Sequence, residues 1–196
     1  MQKVEFNYEC YDKSFEKTIA FHSAPTLLGI KAASIFTYKI NKNENIDAYI
    51  QEFNIVAGQK GIELKVLCKC TKSALILVFR PLLLNKRLNE PERKHLLNAY
   101  GYHPALSLDE KLSLLSKRIS SVEFPHEIGL FLDYPVHDVI GFINNNGKNY
   151  KICGYWKVYS NEKKAKKLFN NYTKCRIYLF NKLNNGLNLY QALKIA

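Results

Sequence analysis

The spacing of apolar residues predicts short helices interrupted by a few strands. Phe15, Ile19 and His22 fall at i, i+4 and i+7, so a helix is expected over about 12–22. Pro25, in the following SAPTLLG, disfavours helix at the residue before it and is expected to end the run there. A short strand over 34–40 comes next. Ile46, Tyr49, Ile50, Phe53 and Val56 then share one helical face, which predicts a helix over 44–57 stopped by Gly58 or Gly61. IELKVLCKC at 62–70 alternates with period two and places Ile62, Leu64, Val66, Cys68 and Cys70 on one face of a strand. ALILVFR at 74–80 is apolar almost throughout, as a central strand covered on both faces should be, and the two strands read as a β-hairpin.

Downstream the pattern turns helical. Asn89 and Pro91 open a segment ending near Gly101. Ser107 and Glu110 form a capping box for a helix that buries Leu108, Leu112, Leu115 and Ile119. Short helices over 126–132 and 136–144 flank Tyr134-Pro135. YKICGYWKVY at 150–159 predicts a further strand, and Ser160 caps a long helix with Ala165, Leu168, Tyr172, Cys175 and Leu179 inward. The expectation is one α+β domain over 1–196. It has a roughly four-stranded mixed sheet with a central hairpin, covered by about six to eight helices, with strand order open.

Composition narrows the class. The chain has 196 residues, 47% of them hydrophobic and 13% aromatic, which suffices for one core and argues against disorder. No stretch approaches the roughly 20 apolar residues that span a bilayer. The start, MQKVEFNYECYDKSFEK, lacks a signal-like apolar region, so a cytoplasmic location is expected. The net charge of +12 is unevenly placed: residues 148–196 carry eleven basic side chains and one acidic. Lys163, Lys164, Lys166 and Lys167 sit at the centre of that excess, which attracts an anionic ligand, an acidic partner or a polyanion. A solvated helix face is the simpler reading. The five cysteines are odd in number and contain no CxxC pair, which speaks against a disulfide framework or a structural zinc site.

Several segments carry a resemblance: HSAPTLLGIK at 22–31, LILVFRP at 75–81, FPHEIGLFLDYPVHDVIGFINNNG at 124–147, and GYWKVY at 154–159 with the KLFNNYTKC that follows. In this order the chain resembles a bacterial family known as domain of unknown function 3793. The resemblance implies a single cytoplasmic domain and brings no activity with it. It also implies relatives encoded near flavodoxin-like and ferrous-iron transport proteins, which points toward iron, haem or redox work.

Three groups of residues could carry chemistry. His22 lies where a helix end meets a turn, a place that favours imidazolium, with the hydroxyls of Ser23 and Thr26 beside it. His126 and Glu127 follow Pro125. Adjacent helical side chains diverge by about 100°, so His126 is the candidate ligand or acid–base group and Glu127 a cap or buttress. Cys153 on a strand would have Lys151 and Lys157 at i±2 and i±4, the surroundings that favour a thiolate, and Gly154 would let a ligand approach. Arg80, at the end of the central strand, is a candidate anion contact. His22, His126 and Cys153 are the candidate metal ligands, while Cys68, Cys70 and Cys175 read as packing residues.

GxGxxG, GxxxxGK(S/T) and GxSxG motifs are absent, which removes the usual support for dinucleotide binding, P-loop hydrolysis and lipase-like acyl transfer. Flavin binding without a motif stays open. EIGLFLDYPVHDVIGFI at 127–143 has helix-turn-helix punctuation but the wrong charge sign for DNA. Tyr155, Trp156, Tyr159, Phe169 and Tyr172 offer rings for stacking on bases, but Trp156, Phe169 and Tyr172 fit the core better. The expected function is therefore a small-ligand or cofactor-binding protein. Its pocket would be lined by His22, Ser23, Thr26, His126, Glu127 and Cys153, with Arg80 and Lys157 supplying positive charge for an anionic group. The iron-, haem- or redox-linked accessory is the specific version. An interaction protein that docks an acidic redox partner through its basic helix is the alternative, and nonspecific nucleic-acid binding comes third.

Overall fold

The structure, a computed structural model, describes residues 15–41, 45–121 and 124–195. At its centre is a three-stranded antiparallel sheet in the order β1-β3-β2, with β1 Ala33–Lys39, β2 Glu63–Lys69 and β3 Ser73–Phe79. Period-two alternation lets the central β3 serve two cores at once. Ala74, Ile76 and Val78 join the first core, with α1 Phe15–Leu27, α2 Ile46–Gly58, the C-terminal part of α8 Glu162–Asn184, and α9 Leu189–Ala192. Leu77 and Phe79 join the second. That core is covered by α3 Pro81–Leu88, α4 Pro91–Ala99, α5 Leu108–Ile119, α6 Ile128–Phe131 and α7 Val136–Asn144. A separate two-stranded hairpin, β4 Ile152–Cys153 and β5 Lys157–Val158, packs Trp156 and Val158 against Ala165 and Tyr172 of α8.

The class is α+β, but the expected four-stranded mixed sheet is three antiparallel strands plus this hairpin, and the described residues form nine helices. The strand expected over 150–159 folds back on itself because residues 154–156 turn, and Gly154 N donates to Trp156 O. β2 also departs from simple alternation. Leu67 is an extra residue between the pairs Val66↔Ile76 and Cys68↔Leu75, a bulge that moves everything after it to the opposite face. Leu67 itself is buried in the second core, on the face opposite Leu64 and Val66. Cys68 is only partly buried and Cys70 is exposed beside Ser73, so neither holds the core position expected of it, whereas Cys175 does.

Pro25 does not end α1. A proline inside a helix leaves the carbonyl four residues earlier without its N–H partner. Here that carbonyl, Phe21 O, accepts from Arg176 Nε of α8 at 3.0 Å, and the guanidinium lies 4.3 Å from the Phe21 ring centre. The helix ends instead at Gly29, whose φ of 78° suits a residue without Cβ. α8 is capped by Asn161, one residue after the expected Ser160. α3 is not among the expected helices. Pro81 starts it right after β3, and it buries only Leu84 and Leu88.

Candidate functional site

α6, α7 and the β4–β5 hairpin enclose a cavity of about 360 Å3. Its walls are mainly aromatic. Tyr134 stacks on Trp156 at 5.1 Å between ring centres and donates its hydroxyl to Tyr155 O at 3.2 Å. Trp156 meets Phe169 edge-on at 4.6 Å behind the wall. Two glycines make this packing feasible. A Cβ at Gly154 would lie 2.3 Å from the Phe169 ring, and one at Gly141 would lie 2.5 Å from Tyr159.

Asp138 holds the hairpin in place. Its buried carboxylate accepts from Trp156 Nε1 at 2.7 Å through one oxygen, and from Tyr159 N, Ser160 N and Ser160 Oγ at 2.8–2.9 Å through the other. Four donors offset the cost of taking a carboxylate out of water. The group is thus occupied in joining α7 to the hairpin and the start of α8, although it borders the cavity. The linear pattern gives no hint of this contact, because Asp138 meets Trp156 only across the fold.

Three predicted residues come together here: His126, Cys153 and Lys157 all line the cavity. The His126 ring lies against Phe142 at 5.1 Å. Cys153 is exposed, and its cross-strand partner is Lys157. Lys157 Nζ donates to Gly147 O at 2.8 Å and lies over the Phe142 and Tyr150 rings. Lys151, the other lysine expected beside Cys153, instead donates to Ser160 O. The cavity therefore pairs flat apolar walls with one imidazole, one thiol and one ammonium.

The other predicted residues lie elsewhere. His22 stacks face-on on Phe36 of β1 at 5.6 Å, and desolvation together with Arg176 lowers its pKa below the usual histidine range. Ser23 and Thr26 are wholly buried. Thr26 Oγ1 bonds Ser34 Oγ at 2.8 Å, and the Ser23 hydroxyl has no partner among the described residues. The two hydroxyls therefore face packed interior. Arg80 closes the C-terminus of α1, donating to Thr26 O, Leu27 O and Lys60 O at 2.6–3.2 Å, where a cation also meets the negative end of the helix dipole. Glu127 is buried against Tyr102 and Arg118 as a buttress of the second core. Lys163, Lys164, Lys166 and Lys167 are exposed on α8, with Lys166 paired to Glu162.

A second polar cluster has no counterpart in the sequence pattern. Asp133, at φ 60°, pairs through Oδ1 with Arg93 and Arg87 at 3.1 and 3.3 Å and accepts from Ala32 N through Oδ2. It joins the turn after α6 to α3, α4 and the start of β1.

Among the described residues no three His, Cys, Asp or Glu side chains gather to hold a metal ion, and no helix is long and apolar enough to cross a membrane. The fold and cavity define a two-core α+β protein with an aromatic-walled site at its edge. The chain belongs to the family described as protein of unknown function (DUF3793), whose model matches residues 19–193. No curated protein and no solved structure matches it.

Proposed function

We propose that the protein binds a small, flat ligand in this cavity. The ligand's apolar body would lie along the aromatic walls, with a polar or anionic edge toward His126, Cys153 and Lys157. The observation that supports this is the opening of those three side chains onto one space otherwise walled by Tyr134, Phe142, Tyr155 and Trp156. A volume of about 360 Å3 lies within the range of small-molecule sites. An iron-, haem- or flavin-linked accessory is the most specific form of the reading. His126 and Cys153 are of types that ligate iron. Because, among the described residues, only these two uncommitted ligand types border the cavity, a planar organic group suits the walls better than a bare ion. Trp156 is the chain's single tryptophan and reports on the wall directly. Titration with flavin mononucleotide or haemin should quench its emission saturably, with at least tenfold weaker binding in His126→Ala. Quenching that never saturates, or that is identical in His126→Ala, overturns the reading.

A second reading rests on α8. Lys163, Lys166, Lys167 and Lys174 fall on one exposed face, and residues 148–196 contain a single acid, Glu162. Such a face suits an acidic protein surface such as that of a redox partner. Capture of that partner should weaken with salt and disappear when Lys163, Lys166 and Lys167 are changed to Glu.

A further inference from the structure

A second, shallower hollow of about 530 Å3 is lined by Lys151, Ser160, Asn161, Glu162, Lys163 and Lys166. The hairpin links it to the aromatic cavity. Lys151 borders the hollow and Cys153 borders the cavity, two residues and at most about 7 Å of chain apart. Tyr150, the residue before Lys151, has an exposed ring 5.1 Å from the Nζ of Lys157 in the cavity wall. The two spaces differ in character. Aromatic rings wall the first, and its one acid, Asp138, has both oxygens engaged. Three ammonium groups face one carboxylate in the second, a net charge of +2.

The donors of the hollow are only partly used. Lys151 donates to Ser160 O and Lys166 pairs with Glu162, which leaves each ammonium further N–H groups. Lys163 has no ion-pair partner among the described residues. Asn161 accepts from Lys164 N through Oδ1, so its side-chain NH2 remains as a donor.

We propose, on the premise that the aromatic cavity is a ligand site, that its ligand is a phosphate monoester. A flat ring would lie between the aromatic walls, and a short sugar or polyol would carry the phosphate to Lys151, Lys163 and Lys166. A phosphate monoester has a charge of about −1.5 to −2 at pH 7 and three strong acceptor oxygens. Both match the hollow, whose net charge is +2 and whose free donors come from several side chains. A carboxylate, with one charge and two oxygens, leaves half of that charge unmatched. The ligand class is therefore that of a nucleotide or a phosphorylated ring coenzyme.

The test compares two pairs of probes that differ only in phosphate: flavin mononucleotide with riboflavin, and adenosine monophosphate with adenosine. Saturable quenching of Trp156 gives each affinity at low ionic strength. In at least one pair the phosphorylated member should bind at least tenfold tighter, an advantage that shrinks as salt rises. Changing Lys163→Gln and Lys166→Gln together takes the hollow from +2 to zero and should remove most of that advantage while leaving the bare ring's affinity unchanged. Lys174→Gln, eight residues beyond Lys166 and so about 12 Å farther along α8, should leave it intact. Equal affinities within both pairs, or an advantage that survives the double change, overturn the proposal and leave the cavity standing as a ligand site. An advantage that Lys174→Gln reduces equally assigns the attraction to the charge of α8 as a whole and overturns it too. Saturable quenching by none of the four compounds overturns both the phosphate and the cavity that would hold the ring.

Discussion

Burial of the Lys31 ammonium makes a quantitative prediction that runs against the usual direction of core mutations. The displacement from 10.5 to about 8, at about 1.4 kcal/mol per pH unit, means that folding penalises the ammonium, relative to the neutral amine, by about 3 kcal/mol. Lys31→Met keeps the length and apolar stem and removes the charge. It also removes the contacts with Tyr134 and Tyr172, worth about 1–2 kcal/mol when desolvated. The net expectation at pH 7 is a gain of about 1–2 kcal/mol, or about 3–6 °C in Tm for a chain of this size. The pH dependence separates this from a generic packing gain. Between pH 8 and 10.5 the unfolded chain holds the Lys31 proton and the folded chain has released it. The wild-type protein therefore loses stability from this group as pH falls through that window and regains it as pH rises, and the variant does not. Urea unfolding followed by Trp156 emission should show the advantage of Lys31→Met at pH 7 shrinking toward pH 10. A variant that loses more than about 1 kcal/mol at pH 7, or an advantage that is flat with pH, refutes the reasoning.

Other perturbations test the walls of the site and the helix contacts. Asp138→Ala strands the buried Trp156 Nε1 and the part-buried Tyr159 and Ser160 amides; it should cost about 2–3 kcal/mol in urea unfolding and shift Trp156 emission. Gly141→Ala forces a methyl into the Tyr159 ring and should cost about 1–3 kcal/mol, whereas Gly58→Ala, with open space at its Cβ position, should be near neutral or better in the same assay. Arg176→Met leaves Phe21 O without the donor that replaces the missing N–H of Pro25. It should cost about 1–3 kcal/mol, and faster amide exchange in the last turn of α1 should accompany it.

Much of the fold is legible in one dimension because strong local signals agree with the packing. The Ser107–Glu110 capping box forms as expected, with Ser107 accepting from the Glu110 amide and Glu110 from the Ser107 amide. The unbroken apolar run at 74–80 becomes the strand shared by two cores. The failures have physical causes. Pro25 stays helical because Arg176, 151 positions away, supplies a donor that no local rule includes. The β2 bulge depends on what β3 offers opposite it, so alternation alone places Cys68 wrongly. For the candidate site, residue chemistry directs attention to His126, Cys153 and Lys157, which the fold gathers. Chemistry without topology cannot separate them from His22, Thr26 and Arg80, which serve packing and the end of α1. Asp138, Asp133 and Lys31 stay invisible in the sequence because their partners lie on other elements.

The central claim is that the aromatic cavity holds a small flat ligand, and native mass spectrometry of anaerobically purified protein tests it most directly. Absorbance and metal analysis of the same sample identify what is bound. The account predicts a stoichiometric added mass that is lost on denaturation and diminished in His126→Ala and Cys153→Ala, whether the protein is isolated loaded or is first incubated with haemin or flavin mononucleotide. A bare chain mass in the wild-type protein, unchanged after incubation with iron, haemin and flavins, contradicts it.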